Sequence, residues 1–489
     1  MKIFHNLQKR LLTAVFLCSV SALQAQALDR SKAPELGAPP TLKLPPIQHL
    51  KLSNGLPVVL MEKHDLPLVQ IDLLVKAGSA MDPAGKSGLA SLTAAMLDEG
   101  AGSRNALQLA DAIDFLGAII SVGAGWHNSA VTMNTPLSKL DSALALMADV
   151  ALRPTFPAEE LERQRKERLT TLVQWHDQPR AIASVIFNQT LYGAKHPYGL
   201  PTIGDEKTLR GFRVEDLKNF HSTHFRSNNA TLIAIGDVTA KNILPKLEAA
   251  FGKWEAGKIS TATWPGVSQV QKRQIWLVDK PGAAQSEIRL GRIGVPRLTE
   301  DYDALVVMNT ILGGSFTSRL NQNLREKHGY SYGARSAFDF RPLPGPFVAA
   351  AGVQTSKTDS ALFEFMKELN AIIQPVADSE LHRAKNYVAL SFPQDFQSLT
   401  QIAGQLEELV TYNLPDDYFN NFIQRILAVT KDDVLRVSRK YLDPEKMAII
   451  VVGDRKAIEK GVRGLNLGPV QVMTVEQVLG KIPVMAGTD

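Results

Sequence analysis

Few residue groupings in this chain could do chemistry by themselves, and spacing undercuts each one. Gly85-Lys86-Ser87 has the tail of a phosphate-binding loop, whose backbone N–H groups would cradle an anion. That motif needs glycine at position 80, and the residue there is Ala80. His221 and His224, three positions apart ahead of an apolar run, could share a helix face and hold a metal. No carboxylate or third histidine stands at useful spacing, so ordinary helix histidines explain them better. His49, His64, His127, His176, His196, His328 and His382 are scattered singly, and no His-Glu-x-x-His pair exists. The one cysteine is Cys18.

The start of the chain reads as an export signal. Lys2, Lys9 and Arg10 precede the apolar run Leu11–Leu23 and then Ala25-Gln26-Ala27, the layout of a secretory signal cut after residue 27. The run is shorter than the roughly 20 residues of a spanning helix. Cys18 leaves with it, which excludes disulfides, thiolate metal sites and thiol catalysis in the exported chain. Losing Lys2, Lys9 and Arg10 takes the formal net charge from +5 to about +2. No dense basic patch interleaved with aromatics appears, so nucleic acid is not an expected partner. An export signal without cysteine fits the periplasm of a Gram-negative bacterium.

With 489 residues, 45% hydrophobic, 21% charged and 7% aromatic, the chain is globular and long enough for several domains. Disorder, collagen and coiled coil are excluded. Residues 28–47, with Pro34, Pro39, Pro40, Pro45 and Pro46, read as an extended arm. Asn54-Gly55 marks a hairpin turn, Val58–Met61 and Leu68–Val75 read as strands, and helical periodicity covers Gly88–Leu97, Leu107–Leu116, Leu137–Leu152 and Ala158–Trp175.

An internal repeat organises these elements. Ser138-Lys139-Leu140-Asp141-Ser142-Ala143-Leu144 returns as Ser356-Lys357-Thr358-Asp359-Ser360-Ala361-Leu362, 218 residues on. Glu160-Leu161 returns at Glu380-Leu381, and Ile235-Gly236-Asp237 at Val452-Gly453-Asp454, at offsets of 220 and 217. Two tandem copies follow, at 48–251 and 275–470, joined by a turn-rich linker at 252–274 and trailed by a C-terminal tail at 471–489. Each copy runs strands, then helices, then a strand (Ala230–Ile235; Met447–Val452). The expected fold is α+β, two duplicated domains each with a mainly antiparallel sheet packed by helices.

Gly78-Ser79, Pro83, Gly88-Leu89-Ala90 and Met96-Leu97 resemble the N-terminal signature of the pitrilysin/insulinase family of zinc metallopeptidases. Leu116-Gly117-Ala118, His196-Pro197-Tyr198-Gly199 and Gly236-Asp237 resemble further landmarks, so the resemblance spans nearly all of residues 48–470. In active members a helix carries Gly-Leu-Ala-His-x-x-Glu-His-Met-Leu, both histidines holding zinc and the glutamate acting as general base. Here the histidine positions are Ser91 and Ala95 and the glutamate position is Ala94. The third ligand, a glutamate, should fall near Thr171 or Leu172. The chain is therefore expected to bind no metal and to be inactive alone.

The resemblance implies a different part for the second copy. Arg325 and Tyr332 keep the seven-position spacing of an arginine and a tyrosine that in active members reach the zinc site. A guanidinium and a phenol can both donate to a scissile carbonyl as it gains negative charge. Gly313-Gly314-Ser315 is expected to line the substrate path. Half-size relatives are often built from two different chains, and this one resembles the non-metal-binding kind. The implied partner is a homologous subunit with an intact His-x-x-Glu-His motif, which would carry the zinc, and the implied substrate is a peptide or unfolded protein. The alternative is a catalytically inactive peptide-binding, chaperone or scaffold protein of the same fold.

Overall fold

Alternating and continuous apolar runs in the first copy fold into a six-stranded sheet. In the computed structural model, which describes Gly37 and residues 42–259 and 262–485, the strands are β1 (Ile47–Lys51), β2 (Pro57–Glu62), β3 (Leu68–Val75), β4 (Ile119–Ala124), β5 (Ser129–Pro136) and β6 (Ala230–Gly236). Their spatial order is β1-β2-β6-β3-β5-β4, antiparallel throughout except for β2–β6. β6 is central and every residue of it is buried, which is why it reads as a nearly continuous apolar run broken only by Thr231. Gly55, at φ 91°, makes the β1–β2 turn, and the Asn54 side-chain amide donates to the Phe251 and Trp254 carbonyls at 2.8 Å. The signal segment 1–27, the arm from 28 to 41 apart from Gly37, and residues 486–489 lie outside the described residues. From residue 42 on, the end of the arm is docked, with Leu42 and Leu44 packed on the core of the second copy.

The second copy repeats the sheet. β7 (Gln274–Asp279), β8 (Gln285–Ile293), β9 (Arg335–Phe338), β10 (Pro346–Gln354), β11 (Ala448–Gly453) and β12 (Val470–Thr474) lie in the order β9-β10-β8-β11-β7-β12. The pairs β11–β7 and β12–β7 are parallel and the others antiparallel. The shared order of five strands is the structural form of the sequence repeat, and the fold is α+β as expected. The sixth strand breaks the equivalence, since β1 precedes its sheet and β12 follows its own. The segment set apart as a C-terminal tail supplies this last strand, then a short helix, Val475–Leu479. The linker region 252–273 holds no helix or strand among its described residues.

The helices weld the copies. The first carries α1 (Leu89–Ala95), α2 (Ala106–Phe115), α3 (Leu140–Leu152), α4 (Ala158–Trp175) and α5 (Pro179–Tyr192). The second carries α6 (Tyr302–Asn309), α7 (Thr358–Ile372), α8 (Asp378–Ser391) and α9 (Leu399–Tyr412). α5 starts with Pro179 at its first position and α9 with a Ser398/Gln401 capping box, two standard ways of dealing with free N–H groups. Each of these two helices lies on the other copy's sheet. α5 buries Ile182, Ile186 and Phe187 against Ile293, Ile450 and Val452. α9 buries Ile402 and Leu406 in a cluster that includes Val59, Met61, Ile233 and Ile235 of the first sheet. Burying side chains of this size stabilises by about 1.5–3 kcal/mol each, so the exchange binds the copies into one unit.

Candidate functional site

In the first copy, the positions matching the family's metal ligands form a closed corner. Gly88 turns the chain into α1 at φ 94°, and a Cβ there would lie 2.6 Å from the Ile203 carbonyl oxygen, so only glycine fits. Asp82 accepts from the Gly88 and Ala90 N–H groups at 2.8 and 2.7 Å, and burial pushes its carboxyl up to about 7. α1 then presents Ser91 toward α4. Arg168 of α4 donates to Ser91 Oγ at 2.6 Å and to the Ser91 carbonyl at 2.9 Å. Burial pulls this guanidinium down to about 10, and its Nε has no hydrogen-bond partner. Ala94 is buried, Thr171 turns its hydroxyl back to the Glu167 carbonyl, and Leu172 packs on the first core. Zinc does not fit this donor set: one hydroxyl, two methyl groups and a resident cation offer no imidazole or carboxylate. Among the described residues no group of three His, Cys, Asp or Glu could hold a metal ion. His221 and His224 are packing residues, His221 stacking on Phe225 and meeting the Ala151 carbonyl at 2.9 Å.

In the second copy, the residues singled out by sequence converge on an open cavity of about 460 Å³. After α6 the chain winds through two wide π-helical turns, Thr310–Gly314 and Gln322–Lys327, a feature frequent at functional sites. Gly313, Gly314, Ser315, Arg325 and Tyr332 all line the cavity. Gly313 has a structural reason too, because a Cβ there would fall 2.2 Å from the Ser336 amide nitrogen of β9. Ser315 Oγ donates to the Thr310 carbonyl at 3.2 Å. The Arg325 guanidinium lies 4.6 Å from the Phe316 ring centre and its Nε 3.2 Å from Glu326. Tyr332 is 91% exposed, so strand packing does not account for it. No hydrogen bond ties its hydroxyl to any described residue.

Asn321, which spacing does not single out, braces the walls. Its amide donates to the Phe316 carbonyl at 2.7 Å, and its oxygen accepts from the Ala334 N–H at 3.3 Å. Arg319 grips Glu380 of α8 through two bonds of 2.7 and 2.8 Å. Gly329-Tyr330-Ser331-Tyr332-Gly333 also spells the Gly-x-Ser-x-Gly pattern of a nucleophile elbow. Ser331 Oγ instead bonds Gly333, donating to its carbonyl at 2.7 Å and accepting from its N–H at 3.0 Å, with no histidine partner. From the first copy, among the described residues, Arg180 of α5 is the one side chain lining the cavity. The chain's own α1 corner takes no part in it.

Comparison with known proteins agrees with the fold. Residues 57–205 match the family model described as Insulinase (Peptidase family M16), and residues 211–388 that of the Peptidase M16 inactive domain. An uncharacterized zinc protease of Rickettsia felis is 24% identical over 80% of this chain and 93% of its own. A non-peptidase homolog, YmxG, of Helicobacter pylori is 21% identical over 84% and 95%. Among solved structures, a peptidase M16 inactive domain from Pseudomonas fluorescens superposes with a TM-score of 0.78 at 28% identity, covering 83% of this chain and 98% of that one. A protease from Helicobacter pylori superposes with a TM-score of 0.77 at 21% identity, covering 84% and 100%.

Proposed function

Because the chain belongs to the insulinase family, peptidase family M16, and its own metal corner is filled by Arg168 and Ser91, we propose that it is the non-metal-binding subunit of a heterodimeric zinc metalloendopeptidase of the periplasm. Its partner would be a homologous chain with an intact His-x-x-Glu-His motif, and its substrate an extended peptide. The observation that carries the reading is the open cavity: the Tyr332 hydroxyl and the Arg325 Nη donors are unspent, and the α1 corner of the same chain does not complete the site. In the partner, zinc would supply Lewis acidity for attack on the peptide carbonyl. The work of this chain is to orient that carbonyl and to meet its developing charge with the Arg325 guanidinium and the Tyr332 phenol. Such donors help most when water is excluded, which closure of a second chain over the cavity would provide.

The test is peptide hydrolysis by the purified chain alone and mixed with the metal-motif partner, with zinc assayed on each component. Cleavage in the mixture alone, with zinc stoichiometric to the partner, is the expected result. No cleavage in either preparation would leave a peptide-binding or scaffold protein; the Helicobacter pylori relative carries the name non-peptidase homolog. Zinc-dependent cleavage by this chain alone would overturn the assignment.

A further inference from the structure

The cavity beside Arg325 and Tyr332 is strongly one-sided in charge. On β10, Ala350 pairs with Arg289 of β8 on one side and with Arg335 of β9 on the other. Directly paired residues share a sheet face, so two arginines flank a small residue across three strands, about 10 Å apart at the strand spacing. One step along, Glu287 pairs with Gly352, and Ala350 and Gly352 together leave the floor low. This is the face on which α5 lies, since Ile450 pairs with Arg289 and belongs to the cluster that α5 buries. α5 covers only the β8–β11 side, and its second residue, Arg180, leans over the uncovered part.

Three guanidiniums, those of Arg180, Arg289 and Arg335, therefore lie near one carboxylate, Glu287, while Arg325 has Glu326 beside it. Glu287 is taken up by Arg289, 3.4 Å from its Nε, an ion pair without a hydrogen bond. Burial holds Arg289 below the usual arginine range, and the positive charges of Arg180 and Arg335 press it lower still. Arg180 and Arg335 themselves make no ion pair among the described residues, although both line the cavity. Like charges gathered without counter-charges repel one another, and a ligand carboxylate entering between them relieves that repulsion while accepting charge-assisted hydrogen bonds.

We propose that this trench selects peptides that carry a carboxylate, either an acidic side chain or a free C-terminus, with Arg180 and Arg335 as its specificity-determining residues. The inference rests on the reading of the cavity as a peptide site. It concerns binding by this chain, so it stands or falls separately from turnover in a heterodimer.

Calorimetric titration of the full chain would compare three peptides of one length and otherwise one sequence. The first has a central glutamate and an amidated C-terminus, the second a central glutamine and an amidated C-terminus, and the third a central glutamine and a free C-terminus. At least one carboxylate peptide should bind about tenfold tighter than the amidated glutamine peptide, with the advantage shrinking as salt rises. A gain confined to the first assigns the site to acidic side chains, and a gain confined to the third to C-termini. In Arg180→Ala/Arg335→Ala the advantage of the carboxylate peptide over the amidated glutamine peptide should fall to within about twofold. Equal affinities, no binding of any peptide, or an advantage untouched by the double substitution would each overturn the proposal. Hydrolysis by the mixture with the metal-motif partner separately decides the subunit role.

Discussion

The two copies share a strand order, yet they treat their polar side chains in opposite ways. At the α1–α4 corner the guanidinium of Arg168 donates to the hydroxyl and carbonyl of Ser91, and apolar neighbours close around them. Around the π-helical turns of the second copy, Arg325 and Tyr332 stand in a cavity with donors unspent, held there by Asn321 and by the Arg319–Glu380 pair. A positive charge occupies the first corner as it would in a zinc enzyme, but a guanidinium spends two of its donors on Ser91 and has no open coordination position. The lesson is that a lost metal site need not be an empty one. The polar residue that fills it can stabilise the fold while the second copy keeps the exposed chemistry.

The sharpest way to break this contrast is to rebuild the metal site. Ser91→His, Ala94→Glu, Ala95→His and Leu172→Glu together restore the family's donor types, Leu172 sharing the helix face of Arg168 one turn on. With Arg168 in place this variant should hold no stoichiometric zinc; with Arg168→Ala added it should hold about one ion per chain by atomic emission. Equal zinc in both variants would show that the guanidinium is no barrier.

A smaller effect separates the corner from the cavity. Ser91→Ala leaves a buried guanidinium donor unpaired and should cost about 2 kcal/mol in urea unfolding. Tyr332→Ala, at a side chain 91% exposed, should change stability by less than about 0.5 kcal/mol. Similar costs for the two would erase the distinction between a closed and an open site.

The smallest effect compares the exchanged helices. α5 meets its sheet through apolar side chains, whereas α9 also covers Asp72, whose carboxyl is raised to about 7 by burial and, to a lesser degree, by the charge of Glu407. The Gln70 amide donates to both Asp72 oxygens at 3.1 Å, and Thr400 of α9 donates to Gln70 at 2.9 Å. A carboxyl raised on folding holds a proton that the unfolded chain releases. Its contribution is therefore fully present below the ordinary carboxylate range and is lost as pH rises toward 7. Asp72→Asn should flatten the fall in unfolding free energy between pH 5 and pH 8 by about 1 kcal/mol or more, with Asp82 and Asp98 among the groups that supply the rest. An unchanged slope would remove Asp72 from the account.

Local patterns carry much of this architecture. Helix α4 keeps the bounds Ala158–Trp175 that its periodicity marks, β3 keeps Leu68–Val75, and the Asn54-Gly55 turn joins β1 to β2. The repeat offsets foreshadow the common strand order, and the residues of the Arg325–Tyr332 stretch do meet at one cavity. What periodicity cannot convey is which surface covers an apolar face. The amphipathic patterns of α5 and α9 say that each needs a partner, not that each takes the other copy's sheet. The strand Val470–Thr474 is short, half-buried and lies at a sheet edge, so its pattern is faint. Arg168 meets Ser91 across 77 residues, and Arg180, Arg289 and Arg335 gather from three separated segments. No spacing rule connects residues brought together only by the fold.

Whether this chain lends two donors to a zinc site carried by another is decided by turnover of the mixed subunits with Arg325→Ala or Tyr332→Phe. Each substitution should lower kcat by about 10²-fold or more, the cost of removing one transition-state donor, while the affinity between the subunits stays within about twofold of the parent. Unchanged turnover in both variants, with the mixture still active, would contradict the account.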